Sequence, residues 1–264
     1  MKSKSISNVE KNLMTSGSIW KTILLFALPL ILGNILQQTC NTIDSMIVGN
    51  YLGRYALAAV GSSTPLINLL ISFSQGIAVG CGILVSQSMG GANQKEMKLA
   101  VHTSLAIAII LGLLISLMGY VFAPWLLEQM DTPAEVMEES ITYLRIFSFG
   151  LVFNIIYNME AGILNAVGNS KRSLLYLGIA SVTNMVLDFL FIKEFGLGVE
   201  GAAIATNISQ ALSALLALLF LIRVPEIYKV RLSKLKIHKD MAMRILKVGI
   251  PTAIQNTVIS LSNV

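Results

Sequence analysis

Six long apolar stretches separated by polar punctuation constrain this chain more than any other feature of its sequence. A helix needs about 20 mostly apolar residues to cross about 30 Å of hydrocarbon. Stretches of that kind cover 19–45, 62–86, 99–127, 141–167, 174–193 and 200–222, and a seventh begins near Met241 and is still apolar at Val264. The runs are continuous and far longer than the alternating segments of about ten residues that build a membrane barrel. Composition agrees, with 55% hydrophobic and 12% charged residues and a mean hydropathy of +0.73, against about 45–50% and about 25% in soluble domains. The expected fold class is all-α: a polytopic helical membrane bundle, with the lipid bilayer as its first partner.

The net charge of +5 does not point to nucleic acid, because the basic residues sit between apolar runs and form no aromatic-interleaved patch. They read instead as a topology signal. Lys2, Lys4, Lys11 and Lys21, then Lys95 and Lys98, then Lys171 and Arg172, all fall on one side of the expected bundle. Arg223, Lys229, Arg231, Lys234, Lys236, Lys239, Arg244 and Lys247 join them, making sixteen of the nineteen basic residues. Arg54 and Lys193 lie in the opposite loops, Arg145 lies in the fourth span, and the loop over 128–139 carries acids without a base. By the positive-inside rule the N-terminus and the even loops face the cytoplasm of a cytoplasmic-membrane protein. The first apolar run is too long for a signal-peptide core, so it is expected to persist in the mature protein.

The chain echoes itself. Ile23-Leu24, Pro29, Asn34 and Asn41 match Ile245-Leu246, Pro251, Asn256 and Asn263 at a constant offset of 222. The chain crosses the membrane six times from the start of one copy to the start of the next, so the repeats are parallel, as in duplicated transporters. The expected organisation is a six-helix transmembrane lobe over 1–222, a basic cytoplasmic linker over 223–240, and the start of a second lobe over 241–264. On that reading the chain is about half a transporter, and a second lobe or a second chain completes it.

Carboxylates within spans cost several kcal/mol unless neutralised or paired. Asp44 lies toward the outer end of span one, Asp188 lies in span five, and Thr206 lies in span six. At a helical rise of 1.5 Å, these three sit roughly 8–13 Å inside the outer boundary. Asn184 and Asp188 are four residues apart and share a helix face. Two carboxylates in one low-dielectric pocket cannot both ionise cheaply, so one can carry a proton. The same oxygens suit a hard cation such as Na⁺. The alternative is that both acids merely mark the membrane interface.

Pro29 interrupts span one and permits a kink, either a hinge coupled to Asp44 or a static packing bend. Gln37 and Asn41 align with Asp44 at helical spacings, as does Asn34 with Gln37, and span four carries Asn154, Asn158 and Glu160. These amides either wall a cavity or join helices by hydrogen bonds. Gly76, Gly80 and Gly82 lie within a span and read as close helix packing, not a nucleotide loop. Cys40 and Cys81 read as buried packing thiols, and His102 and His238 have no evident partner. No phosphate-binding lysine motif, metal-spaced cluster or nucleophile–histidine set is present, so an enzyme or an ATP-driven pump is not expected.

The order Leu28-Pro29, Gln37, Asp44, Val48-Gly49 and Leu52-Gly53 resembles the first helix of MATE (multidrug and toxic compound extrusion) transporters. The resemblance continues through Gly162-Ile-Leu-Asn-Ala-Val-Gly168-Asn169, Asn184 with Asp188, Gly198-Val-Glu-Gly201 and Thr206, and the stretch before Gly249-Ile-Pro251. It implies the N-terminal lobe of a twelve-helix antiporter exporting organic, often cationic, drugs or toxins against H⁺ or Na⁺, with no cofactor beyond that ion. It also implies a cation site at Asp44, Asn184, Asp188 and Thr206, with no metal beyond Na⁺ there. Gln37 and Asn158 would be substrate-facing positions and Pro29 the hinge. Two other readings stand beside it: a lipid-linked precursor flippase of the same superfamily, which calls for a strongly cationic cavity, and a truncated, inactive or partner-dependent half-transporter.

Overall fold

A computed structural model describes residues 19–262 of the chain. Lys2, Lys4 and Lys11, which carry part of the orientation reading, and Asn263 of the internal echo lie outside the described residues. The same holds for the side chains of Lys21 and Leu25.

Among the described residues there are seven α-helices and no strand. They are α1 (Ile19–Leu52), α2 (Arg54–Gly90), α3 (Gln94–Gln129), α4 (Met137–Ala166), α5 (Ser170–Phe189), α6 (Val199–Arg223) and α7 (Lys239–Ser262). Five of them, α2, α3, α4, α5 with its extension, and α6, are long and apolar enough to cross a membrane. In hydrocarbon every backbone N–H and C=O must be paired within the segment, which is why the apolar runs become helices. The expected seven-helix order is therefore observed, with each helix longer than or equal to its apolar core at one end or both.

The largest boundary difference lies between α1 and α2. The apolar run ends near residue 45, whereas α1 continues through Gly49 to Leu52 and the chain reverses at Gly53, with φ of +88°. Only glycine adopts that backbone without strain. α5 ends in a π-helical turn, Leu190–Glu194, before Gly196 and Gly198 lead into α6. The start of α3 is capped reciprocally: Asn93 Oδ1 accepts from the Glu96 N–H at 3.1 Å, and Asn93 Nδ2 donates to Glu96 Oε2 at 3.0 Å.

α4 is the centre of the bundle and packs against α2, α3 and α6. Its Leu144, Leu151, Met159, Ile163 and Leu164 are fully buried. α1 lies at the side, against α5 and α2. The outer face of α3, with Leu113, Leu114, Leu117, Met118, Phe122 and Trp125, is exposed. An apolar face of that size is stable in lipid, which solvates it as well as a protein core would.

α7 lies along α2 in a seam of small residues. A Cβ on Gly76 would stand 2.2 Å from Ala253 Cα, and one on Gly80 would stand 2.7 Å from Gly249 Cα. The glycines of span two thus serve close helix packing, the spacing known to let backbones meet in membranes. Arg244 of α7 also pairs with Glu96 at the head of α3. Cys40 and Cys81 are buried and free, as packing thiols should be.

Because the helices meet backbone to backbone, Gly80→Leu is expected to destabilise the chain by about 2–3 kcal/mol or more through overpacking. A drop in melting temperature in detergent checks this; an unchanged melt would mean that α7 does not sit on α2.

Candidate functional site

The polar residues of the spans converge on the interior of the bundle. A cavity of about 540 Å³ is lined by Asp44 and Gln37 of α1, Tyr143 and Asn154 of α4, Asp188 of α5, and Thr206 and Gln210 of α6. α2 closes it with Asn68 and Gln75. Asp44, Asp188 and Thr206, placed at one depth by counting residues, therefore meet in space.

Asp188 is buried, with 1% of its surface exposed. Asp44 is half-buried and its carboxyl lies beside that of Asp188, close enough for the two to share a proton. Yet no donor from the described protein reaches either oxygen of Asp188, nor Oδ1 of Asp44. A carboxylate offers acceptors alone, and an unsatisfied buried charge is among the costliest groups a protein can hold. Among the described residues the pair is an acceptor-rich nest without a positive partner. A proton between the oxygens or a small cation beside them would supply one.

Asn184 and Thr206 support this nest without sitting in it equally. Asn184 Nδ2 donates to Thr206 Oγ1 at 3.5 Å, and Thr206 Oγ1 donates to the Ala202 carbonyl at 3.0 Å. Thr206 lines the cavity, whereas the buried Asn184 stands behind it. The contact ties α5 to α6 one turn from Asp188.

Two further cavities continue the cleft. One of about 140 Å³ is bordered by Pro29, Gln37, Asn154 and Asn158, and one of about 780 Å³ by Asn34, Gln75, Asn158 and Asn256. Asn34 and Gln75 border all three spaces. Asn158 Nδ2 donates to Asn154 Oδ1 at 2.7 Å, within α4. Among the described residues these amides wall a cavity and make no interhelical hydrogen bond; Asn184 and Asn207 make such bonds instead, Asn207 Nδ2 donating to the Ile146 carbonyl at 2.6 Å. Pro29 is buried within an uninterrupted α1 at the edge of the smaller cavity.

Glu160 does not join the amides beside it in span four. It is fully buried, borders none of the three cavities, and neither oxygen has a hydrogen-bond partner in the described protein. Arg145 also faces away from the cleft, with its guanidinium 5.5 Å from the centre of the Tyr120 ring.

Sequence reasoning missed Asn68, Gln75 and Gln210. Their signal was present: Asn68 and Gln75 are seven residues apart on α2, and Thr206 and Gln210 are four apart on α6, spacings that share a helix face. His102 and His238 do have partners, contrary to expectation. His102 Nε2 accepts from the Arg231 N–H at 3.1 Å, and His238 Nδ1 lies 3.3 Å from Thr103 Oγ1. Each contact joins α3 to the segment between α6 and α7, across more than a hundred residues of sequence, where no local pattern could reveal it.

A helical membrane bundle that turns an amide-walled cleft and a buried carboxyl pair inward has the architecture of a membrane transporter. The MatE family model matches residues 29–190. The chain is 34% identical over 254 residues to the probable multidrug resistance protein YoeA of Bacillus subtilis (strain 168), covering 94% of this chain and 55% of that protein. It matches the crystal structure of MATE in the bent conformation with a TM-score of 0.86 at 28% identity, over 93% of this chain and 55% of that one. An outward-facing MATE family transporter of the MOP superfamily also matches with a TM-score of 0.86, at 27% identity, over 93% of this chain and 54% of that one. The chain belongs to the MATE family. It spans about half the length of the curated relatives it matches.

The missing donor at the carboxyl pair makes a stability prediction. Asp188→Asn places an amide donor beside Asp44 Oδ1 and is expected to stabilise the protein by about 1 kcal/mol. Asp44→Asn combined with it should be non-additive by about 1 kcal/mol. Thermal melts of the two single variants and the double variant in detergent measure this; strict additivity would mean that the two carboxyls do not interact.

Proposed function

We infer that this chain forms the N-terminal lobe of a cation-coupled antiporter that exports organic, often cationic, drugs or toxins across the cytoplasmic membrane. The observation that carries the reading is Asp188: buried, beside Asp44, and without a donor among the described residues. Asp44, Asp188 and Thr206 hold the coupling ion, H⁺ or Na⁺, and Asn184 positions Thr206. Gln37 and Asn158 belong to the substrate wall, and Pro29 is the hinge through which α1 answers occupancy of Asp44. Binding of the cation from outside favours substrate release there, and its loss to the inside readies the cleft for the next molecule.

The name of the Bacillus relative as a probable multidrug resistance protein supports the substrate class. So does the wall of the cleft, whose described bordering residues include amides and carboxyls but no lysine, arginine or histidine. A neutral-to-acidic wall favours an organic cation over the phosphate-bearing precursor of a flippase. The lobe over 1–222 is followed by the linker over 223–240 and the opening of the second lobe, with the N-terminus in the cytoplasm as the basic residues require.

In the full-length protein, Asp188→Asn is expected to abolish cation-driven ethidium efflux from cells while leaving membrane insertion intact. Ethidium fluorescence checks export and immunoblotting of membranes checks insertion. Wild-type efflux in a fully inserted variant would overturn the coupling role.

A further inference from the structure

The segment between α6 and α7 does not hang free. Val230 N–H donates to the Leu221 carbonyl at 2.9 Å, fastening it to the end of α6. Arg231 N–H donates to His102 Nε2 at 3.1 Å, and His102 Nδ1 lies 2.8 Å from the Lys98 carbonyl, which sets the proton on Nδ1. Thr103 Oγ1 then meets the Lys236 carbonyl at 3.4 Å and the His238 ring at 3.3 Å. These bonds strap the segment across the head of α3 and enclose a cavity of about 760 Å³ beneath it.

Lys98 of α3 and Lys229, Arg231, Lys234 and Lys236 of the strap border that cavity, with Glu226 as its one acidic lining residue. Neither ion pair among the described residues uses any of the five cations. A topology signal needs basic residues near a membrane surface but has no need to gather them around a cavity. The strap also alternates basic with apolar residues, and Leu232 and Ile237 are exposed beside the cations. Cations converging on a hollow, next to exposed aliphatic groups at the end of a membrane bundle, suit an anionic headgroup with acyl chains attached.

We propose that the α6–α7 strap and the head of α3 form a seat for the phosphodiester headgroup of an anionic phospholipid. The lipid belongs to the leaflet bordering that end of the bundle. Its phosphate neutralises the lysines and Arg231, while Leu232 and Ile237 meet its acyl chains. Occupancy would fasten the strap, and with it α7, to the first six helices. The seat is separate from the transport cleft and does not depend on the coupling ion.

Native mass spectrometry of the full-length protein in detergent tests this, with phosphatidylglycerol, phosphatidylcholine and inorganic phosphate as probes. Phosphatidylglycerol should bind and phosphatidylcholine should not. R231Q/K234Q/K236Q should weaken phosphatidylglycerol binding about a hundredfold, and K98Q alone about fivefold, at the usual strength of one basic residue near an anionic surface. Because K98Q leaves the strap intact, it decides the matter even if the triple variant does not fold. R54Q, at the opposite end of the bundle, should bind as wild type. Wild-type phosphatidylglycerol binding in K98Q and the triple variant, or equal binding of phosphatidylcholine, would overturn the proposal. Displacement of the lipid by inorganic phosphate would overturn it too, by assigning the seat to a free anion.

Discussion

A polar group inside hydrocarbon must find its partner within the protein, and this condition organises the whole bundle. Helices meet it for the backbone. Serine and threonine meet it locally, as when Thr39, Thr42 and Ser45 bond carbonyls one turn back along α1. Asparagine, glutamine and aspartate have reach and capacity beyond one turn, so they turn away from lipid and toward one another. The cleft walled by Asn34, Gln37, Gln75, Asn154 and Asn158 is where those side chains collect. Asp44 and Asp188 lie at its end because their acceptors outnumber the donors that the helices can offer.

The way the helices are held then separates rigid from adaptable parts. α4 is locked on several sides by buried aliphatic residues, and its Tyr157 donates to the Ser173 carbonyl of α5 at 2.8 Å. α1 has fewer neighbours, a proline in its first half, and a single-glycine reversal at its end. The carboxyl pair therefore bridges a loosely held helix and the tightly held remainder. A proton or cation at the pair would relieve the repulsion between the two carboxylates, and the proposed coupling rests on that change.

The two ends of the bundle differ in charge as well as in structure. At the end bearing the heads of α3 and α7, the strap, His102 and the Arg244–Glu96 pair tie distant segments together. The glycine seam of α2 and α7 brings two backbones into contact next to them. Basic residues gather at this end and acidic ones in the connection between α3 and α4.

Much of this was legible in the residues. Continuous apolar runs dictate membrane helices, the basic residues dictate which ends go together, and spacings of three, four and seven place Gln37 with Asp44 and Asn184 with Asp188. These are properties of one helix at a time, decided by backbone hydrogen bonding and side-chain periodicity. Tertiary structure decided everything that depends on two helices: that Gln75 and Gln210 join the wall while Glu160 does not, that Asp188 finds no donor among the described residues, that α7 lies on Gly76 and Gly80, and that His102 grips Arg231. Such contacts depend on how helices rotate and cross, which follows from packing across the whole bundle and leaves no periodic trace in the sequence of either partner.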